Sequence, residues 1–202
     1  MAARNAFQAE RTAVGRRAGH CFGLRSAHAT LPISLSAVLR LLTRRYKVCH
    51  SEGMQTVYEA AGGDSGVLHL AIAWHRRVMA DEVVSHAFSH GFHPQHSERL
   101  AAYWAEALGG PPTYSDTLGD ETSVVRMHSG NGEHQEMDRR AIACFDQALT
   151  DIGLVENRQL RQVLHDYFVW ATTTTMSRYH DSADKVPEGL RIPHWSWDGL
   201  QG

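Results

Sequence analysis

Cysteine pairs at metal-binding or redox spacing are missing from this chain of 202 residues. Cys21, Cys49 and Cys144 are scattered, with no CxxC. This excludes a zinc ribbon and a disulfide-stapled scaffold and suits a reducing compartment, so a cytoplasmic location is expected. Long apolar runs are missing too: nothing approaches the ~18 residues a membrane-crossing helix needs. No internal repeat is evident, and no HExxH or ExxH spacing marks a helix-borne metal site. Period-two alternation is not sustained anywhere between residues 54 and 180, which leaves little room for half-buried strands. Acidic residues are nearly missing from the first fifty positions, where nine Lys and Arg stand against Glu10 alone, a charge of +8.

The rest of the chain compensates, with 11 basic and 21 acidic residues, or −10. Two segments of opposite character therefore meet near residue 50, and the acidity of the larger one argues against nucleic-acid binding. Residues 1–53 are expected to be a dispensable basic extension, disordered or translated upstream of a natural start at Met54. Leu35, Val38, Leu39 and Leu42, flanked by Arg40, Arg44, Arg45 and Lys47, add a short basic amphipathic pattern, and an Arg-rich, acid-poor stretch also resembles a transit peptide. Hydrophobic residues at 43% and charged residues at 21% are ordinary for a soluble domain with a real core.

Helical periodicity organises residues 54–180. Val67, Leu70, Ala71, Trp74, His75 and Val78 form one apolar stripe after Gly62-Gly63. From Pro94, a residue suited to a first helical turn, Leu100, Tyr103, Trp104, Ala107 and Leu108 run to the stop Gly109-Gly110-Pro111, with His96 one turn before Leu100. Met137, Ala141, Cys144, Phe145, Ala148, Leu149 and Ile152 form a third stripe, and Leu160, Val163, Leu164, Tyr167, Phe168 and Ala171 a fourth. The expected fold class is all-α, with an irregular tail over 181–202 whose tryptophans pack back onto the helices.

Fourteen histidines are the compositional outlier. His86, His90, His93 and His96 have spacings that would share a helix face, but Gly91 and Pro94 interrupt the helix, and a solvated corner is the simpler reading. His75 on an apolar face would ordinarily be a core histidine bonded to a carbonyl. His128 differs, because the glycines of Ser129-Gly130-Asn131-Gly132 let the chain turn sharply and present an imidazole from a helix end, the usual axial donor to haem iron. Two other readings stay open at this point. A histidine-rich non-haem metal enzyme would use His86, His90 and His93, and a helical interaction module would use the tail Pro193-His194-Trp195-Ser196-Trp197.

Tyr58-Glu59-Ala60-Ala61-Gly62-Gly63, then Arg77-Val78-Met79-Ala80-Asp81-Glu82 with Phe88, then Leu108-Gly109-Gly110-Pro111-Pro112-Thr113-Tyr114, then Arg126-Met127-His128, resembles the truncated haemoglobin family in order and spacing. The likeness spans about 54–178 and is nearest to the group II branch. It implies a truncated globin, a two-on-two helical sandwich around haem b, with His128 the proximal iron ligand. Phe88 would pack on the haem, and Leu100, Tyr114, Met127 and Phe145 would complete its surroundings. His75 and His96 fall on distal positions, with Ala141 where group II relatives usually carry tryptophan. The SGNG after His128 is more like group I. The resemblance also implies a protein that binds oxygen or another diatomic ligand, for oxygen storage or delivery. Nitric oxide or peroxide chemistry would need an electron donor, an unidentified reductase.

Overall fold

The computed structural model describes residues 55–202, so the expectations placed on residues 1–53 and on Met54 lie outside it. Seven α-helices follow one another among these residues: α1 (Val57–Ala60), α2 (Gly63–Ala80), α3 (His96–Ala107), α4 (Thr113–Thr117), α5 (Glu121–Met127), α6 (Gln135–Asp151) and α7 (Arg158–Trp170). A 3-10 turn over Val84–Phe88 joins α2 to α3, and α7 runs on into a π-turn over Ala171–Met176. No helix among the described residues is long and apolar enough to cross a membrane.

The four long helices carry the four apolar stripes. α2 packs on α3 and on α6, and α6 packs on α7, giving two helix pairs laid against each other. Their common interior holds Val67, Leu70, Leu108, Phe145, Leu149, Leu164 and Tyr167, each almost without solvent access. Phe145 and Phe168 stack with centroids 4.1 Å apart, and Trp104 meets both edge-on. Burial of this apolar surface is the main stabilising term.

Helix ends are set by local chemistry. Thr56 and Glu59 close a capping box on α1. Gly66 on the first turns of α2 stands so close to the Ala61 carbonyl that any Cβ would lie 1.8 Å from its oxygen. At the far end of α3, Gly109 takes φ +91°, a left-handed stop, while a Cβ on Gly110 would lie 2.9 Å from the Tyr58 ring.

Two boundaries differ from expectation. α3 begins at His96 rather than at Pro94, because the left-handed Gly91 (φ +88°) leads into a turn that includes Pro94. The tail is not irregular throughout: His194–Ser196 and Gly199–Gln201 pair as an antiparallel hairpin, β1 and β2, with Trp195 opposite Leu200. Strands of three residues are too short to show alternation. Its tryptophans do pack back, Trp195 on Tyr167 and Trp170, and Trp197 by an indole N–H donated to the Gln55 carbonyl at 2.7 Å.

Candidate functional site

Histidine side chains converge where the inner ends of α2 and α3 meet the 3-10 turn. The His75 ring lies 4.8 Å from His96, 5.3 Å from Phe88 and 4.8 Å from Phe92, centroid to centroid. Phe88 and Phe92 meet each other and both meet His96, so two phenyl rings, Phe88 half-buried and Phe92 exposed, flank two imidazoles. Phe92 escaped the sequence reading, since it belongs to no stripe and stands in a glycine-broken turn. The clue was its place between His90 and His93, a phenyl in an otherwise polar stretch.

The environment keeps these imidazoles neutral. Burial lowers the pKa of His75, and burial, then the charges of His75 and His128, bring His96 down to about 4. The buried Nδ1 atoms of both have no hydrogen-bond partner. The carbonyl-bonded role usual for a core histidine is thus not what holds either of them.

His128 caps the C-terminal end of α5, one residue beyond Met127. Its Nδ1 lies 2.8 Å from the Val124 carbonyl, an acceptor only, so Nδ1 carries the proton and Nε2 keeps its lone pair. Such a bond fixes both tautomer and ring orientation, as for metal-binding histidines in general. His128 is exposed as a residue, yet desolvation of its imidazole lowers its pKa, with the Val124 bond opposing the shift. Its charge also contributes to the lowering at His96. His134 and Asp138 act on it electrostatically; they bond each other at 2.8 Å, and Ser177 donates to Asp138.

The remaining expected site residues are distributed differently. Leu100 is half-buried one turn along α3 from His96, and Met127 is 72% exposed beside His128. Ala141 is buried on α6 with Val78, Val84 and Cys144, and Phe88 packs against this group. The Ala141 carbonyl accepts the Trp74 indole N–H at 3.2 Å. Tyr114 and Phe145 are not among the rings around His75. Tyr114 stands edge-on to Tyr103 at 5.4 Å with the Arg99 guanidinium over its face, and Phe145 is stacked in the main core.

The non-haem alternative fails on geometry: among the described residues no three of His, Cys, Asp and Glu come together to hold a metal ion, and His86, His90 and His93 are exposed. The tail named for an interaction module is packed on the domain instead of free, with Trp195 buried and Trp197 bonded to the Gln55 carbonyl.

What the residues can hold follows from the donor set. One imidazole with a free, oriented lone pair at His128, together with two neutral imidazoles at His75 and His96 beside phenyl rings, suits a planar aromatic group with an iron centre. Residues 56–173 match the model of the bacterial-like globin family. A sequence comparison with curated proteins finds no match. Solved structures of similar fold include the haemoglobin of the thermophilic phototroph Chloroflexus aurantiacus, 26% identical over 62% of this chain and 100% of that one, with a TM-score of 0.53. The group II truncated haemoglobin of Bacillus anthracis is 18% identical over 60% of this chain and 91% of its own, with a TM-score of 0.53. The truncated oxygen-avid haemoglobin of Bacillus subtilis is 18% identical over 60% and 98%, with a TM-score of 0.51. The matched segment covers more than half of the sequence and carries all four long helices together with His75, His96 and His128, so the chain belongs to the bacterial-like globin family of truncated haemoglobins.

Proposed function

We propose that this protein holds haem b through Nε2 of His128 and binds oxygen, or another diatomic ligand, on the side of His75 and His96. The observation that carries the reading is the fixed tautomer of His128, whose Nδ1–H is committed to Val124 and whose Nε2 lone pair is therefore available. Bound there, ferrous haem supplies a reversible site for a diatomic ligand. The residues supply the rest. Phe88 shields the ligand side from water, with Phe92 at its solvent edge and Leu100 one turn along α3. Ala141 lies at the Phe88 edge, while Met127, Tyr114 and Phe145 belong to the outer surroundings of the cofactor.

His75 and His96 act as neutral donors. With Nδ1 buried and unpaired, each is best served by carrying its proton on Nε2, which can then be given as a hydrogen bond to a polarised ligand. Oxygen storage or delivery is the role these residues support without further partners. Turnover of nitric oxide or peroxide would add a reductase, and a cytoplasmic setting would suit either role.

A His128→Ala variant, purified in imidazole-free buffer, is expected to lose the haem Soret band or to release haem readily to apomyoglobin. Unchanged haem content and spectrum would overturn the assignment of His128.

A further inference from the structure

In the interior, where α3 meets α5, Tyr103 donates its hydroxyl to Glu121 Oε2 at 2.8 Å. Tyr103 is 6% exposed and Glu121 3%. A buried carboxylate beside a buried phenol is costly, and nothing in ligand binding at the imidazoles uses it.

Its position is specific. Tyr103 stands seven residues after His96 on α3, so both lie on one face, about 10 Å apart along the axis. Glu121 opens α5, whose far end presents His128, again about 10 Å away along the helix. The pair therefore bridges the two helices that carry the proximal and one distal imidazole, at equal remove from both. Tyr58 is also bonded to a carboxylate, Asp64 at 2.9 Å, but at the surface.

We propose that Tyr103 and Glu121 form a proton-coupled electron donor that quenches oxidising equivalents generated at the haem; this rests on the haem reading above. Haem held at His128 would supply a two-electron reduction of peroxide. An external reductant would return one of those electrons, and Tyr103 supplies the other. As it leaves, the phenolic O–H bond breaks, the proton passes along the existing hydrogen bond to Glu121, and a neutral phenoxyl radical and a carboxylic acid remain. Without a positioned acceptor the proton of an oxidised phenol has nowhere to go in an apolar core.

The surroundings agree with this role. Burial raises the Glu121 carboxyl to about 7, against the Tyr103 bond that lowers it, so at neutral pH the carboxyl is poised to take up a proton. The other charged and titratable groups acting on the pair are Asp120 and Glu106 on Glu121, and Tyr167 and Tyr114 on Tyr103. Tyr114, edge-on at 5.4 Å, is the next aromatic to which the radical could pass.

The full chain is tested after its Soret band and circular dichroism have been recorded. Hydrogen peroxide is added, and the sample is freeze-quenched for electron paramagnetic resonance. A tyrosyl signal is expected, abolished or moved to another residue in Tyr103→Phe. In Glu121→Gln it should form about 10²-fold more slowly, the low end of what a positioned proton acceptor contributes, and lose its slowing in deuterated solvent. An unchanged signal in Tyr103→Phe, or an unchanged rate and isotope effect in Glu121→Gln, overturns the proposal. A Soret band without any tyrosyl signal overturns it while sparing the haem reading. Without a Soret band the haem reading fails. The proposal, which rests on that reading, falls with it.

Discussion

His75 and His96 differ in what a single substitution at each should do. His75 is half-buried on α2 with three aromatic rings around it, so its hydrogen bond to a bound, partly anionic oxygen would be partly shielded from water. Such a bond is worth ~1.5–3 kcal/mol, or roughly 10–100-fold in dissociation rate. His75→Leu is therefore expected to speed oxygen release by that factor in stopped-flow displacement while carbon monoxide binding, to a less charged ligand, hardly changes. His96 opens its helix; if it serves as an internal sixth ligand when no diatomic ligand is bound, His96→Leu converts a low-spin resting spectrum to high spin, and an unchanged spin state would exclude that role. Glu121 offers a test in stability. Its folded pKa, about 7, lies above the ordinary 4.5, so the folded state binds the extra proton between those values. The stability it contributes is complete below about 4.5 and lost as pH rises through 7, by roughly 3 kcal/mol at 1.36 kcal/mol per unit. Urea melts at pH 5 and pH 8 should show this loss in the wild type and not in Glu121→Gln; parallel losses in both would place the cause elsewhere.

Elements carry the site by their ends rather than their middles, and α5 shows how. It has only seven residues, too short to persist alone. Its start is held by Asp120, whose Oδ1 accepts the Ser123 N–H at 2.9 Å and whose Oδ2 accepts the Ser123 hydroxyl. Its end presents His128. Asp120→Ala removes the cap at a cost of about 1 kcal/mol. Because the loosened helix reaches His128, haem transfer to apomyoglobin should accelerate while the absorption maximum stays in place; an unchanged transfer rate would show that packing alone orients His128. The same distinction explains what was legible in the sequence. The stripes of α2, α3, α6 and α7 are long enough for a period of 3.6 to emerge, and they put His75 and His96 on inward faces. Start points were less legible: Pro94 reads as a first turn, and only the left-handed Gly91 shows why α3 waits for His96. Contacts made across turns left no periodic trace, so Phe92 and the Tyr103–Glu121 bond appear only when the elements are assembled.

At the scale of the molecule, the family match ends at residue 173 but the packing does not. Val186, Ile192 and Trp195 are all buried, at 3%, 4% and 9% exposure, and the Trp195 ring meets Tyr167 and Trp170 of α7. Arg126 of α5 donates to the Val186 carbonyl and pairs with Glu188, and Thr122 donates to the Pro187 carbonyl, so the tail is also tied to the helix that bears His128. Trp197 closes the circuit by bonding Gln55, just before α1. The two ends of the chain are therefore expected to behave oppositely. A chain beginning at Met54 should keep its haem content and its melting temperature, since the family match begins at residue 56. Trp195→Ala instead opens a cavity beside α7, for which a buried tryptophan loses ~3–5 kcal/mol, a large share of the ~5–15 kcal/mol of an ordinary domain. Thermal melts of the two variants in the same buffer decide the matter. Equal stability of Trp195→Ala and the wild type would mean that the hairpin is a passive appendage, and a large loss on removing residues 1–53 would mean that the basic segment packs on the globin.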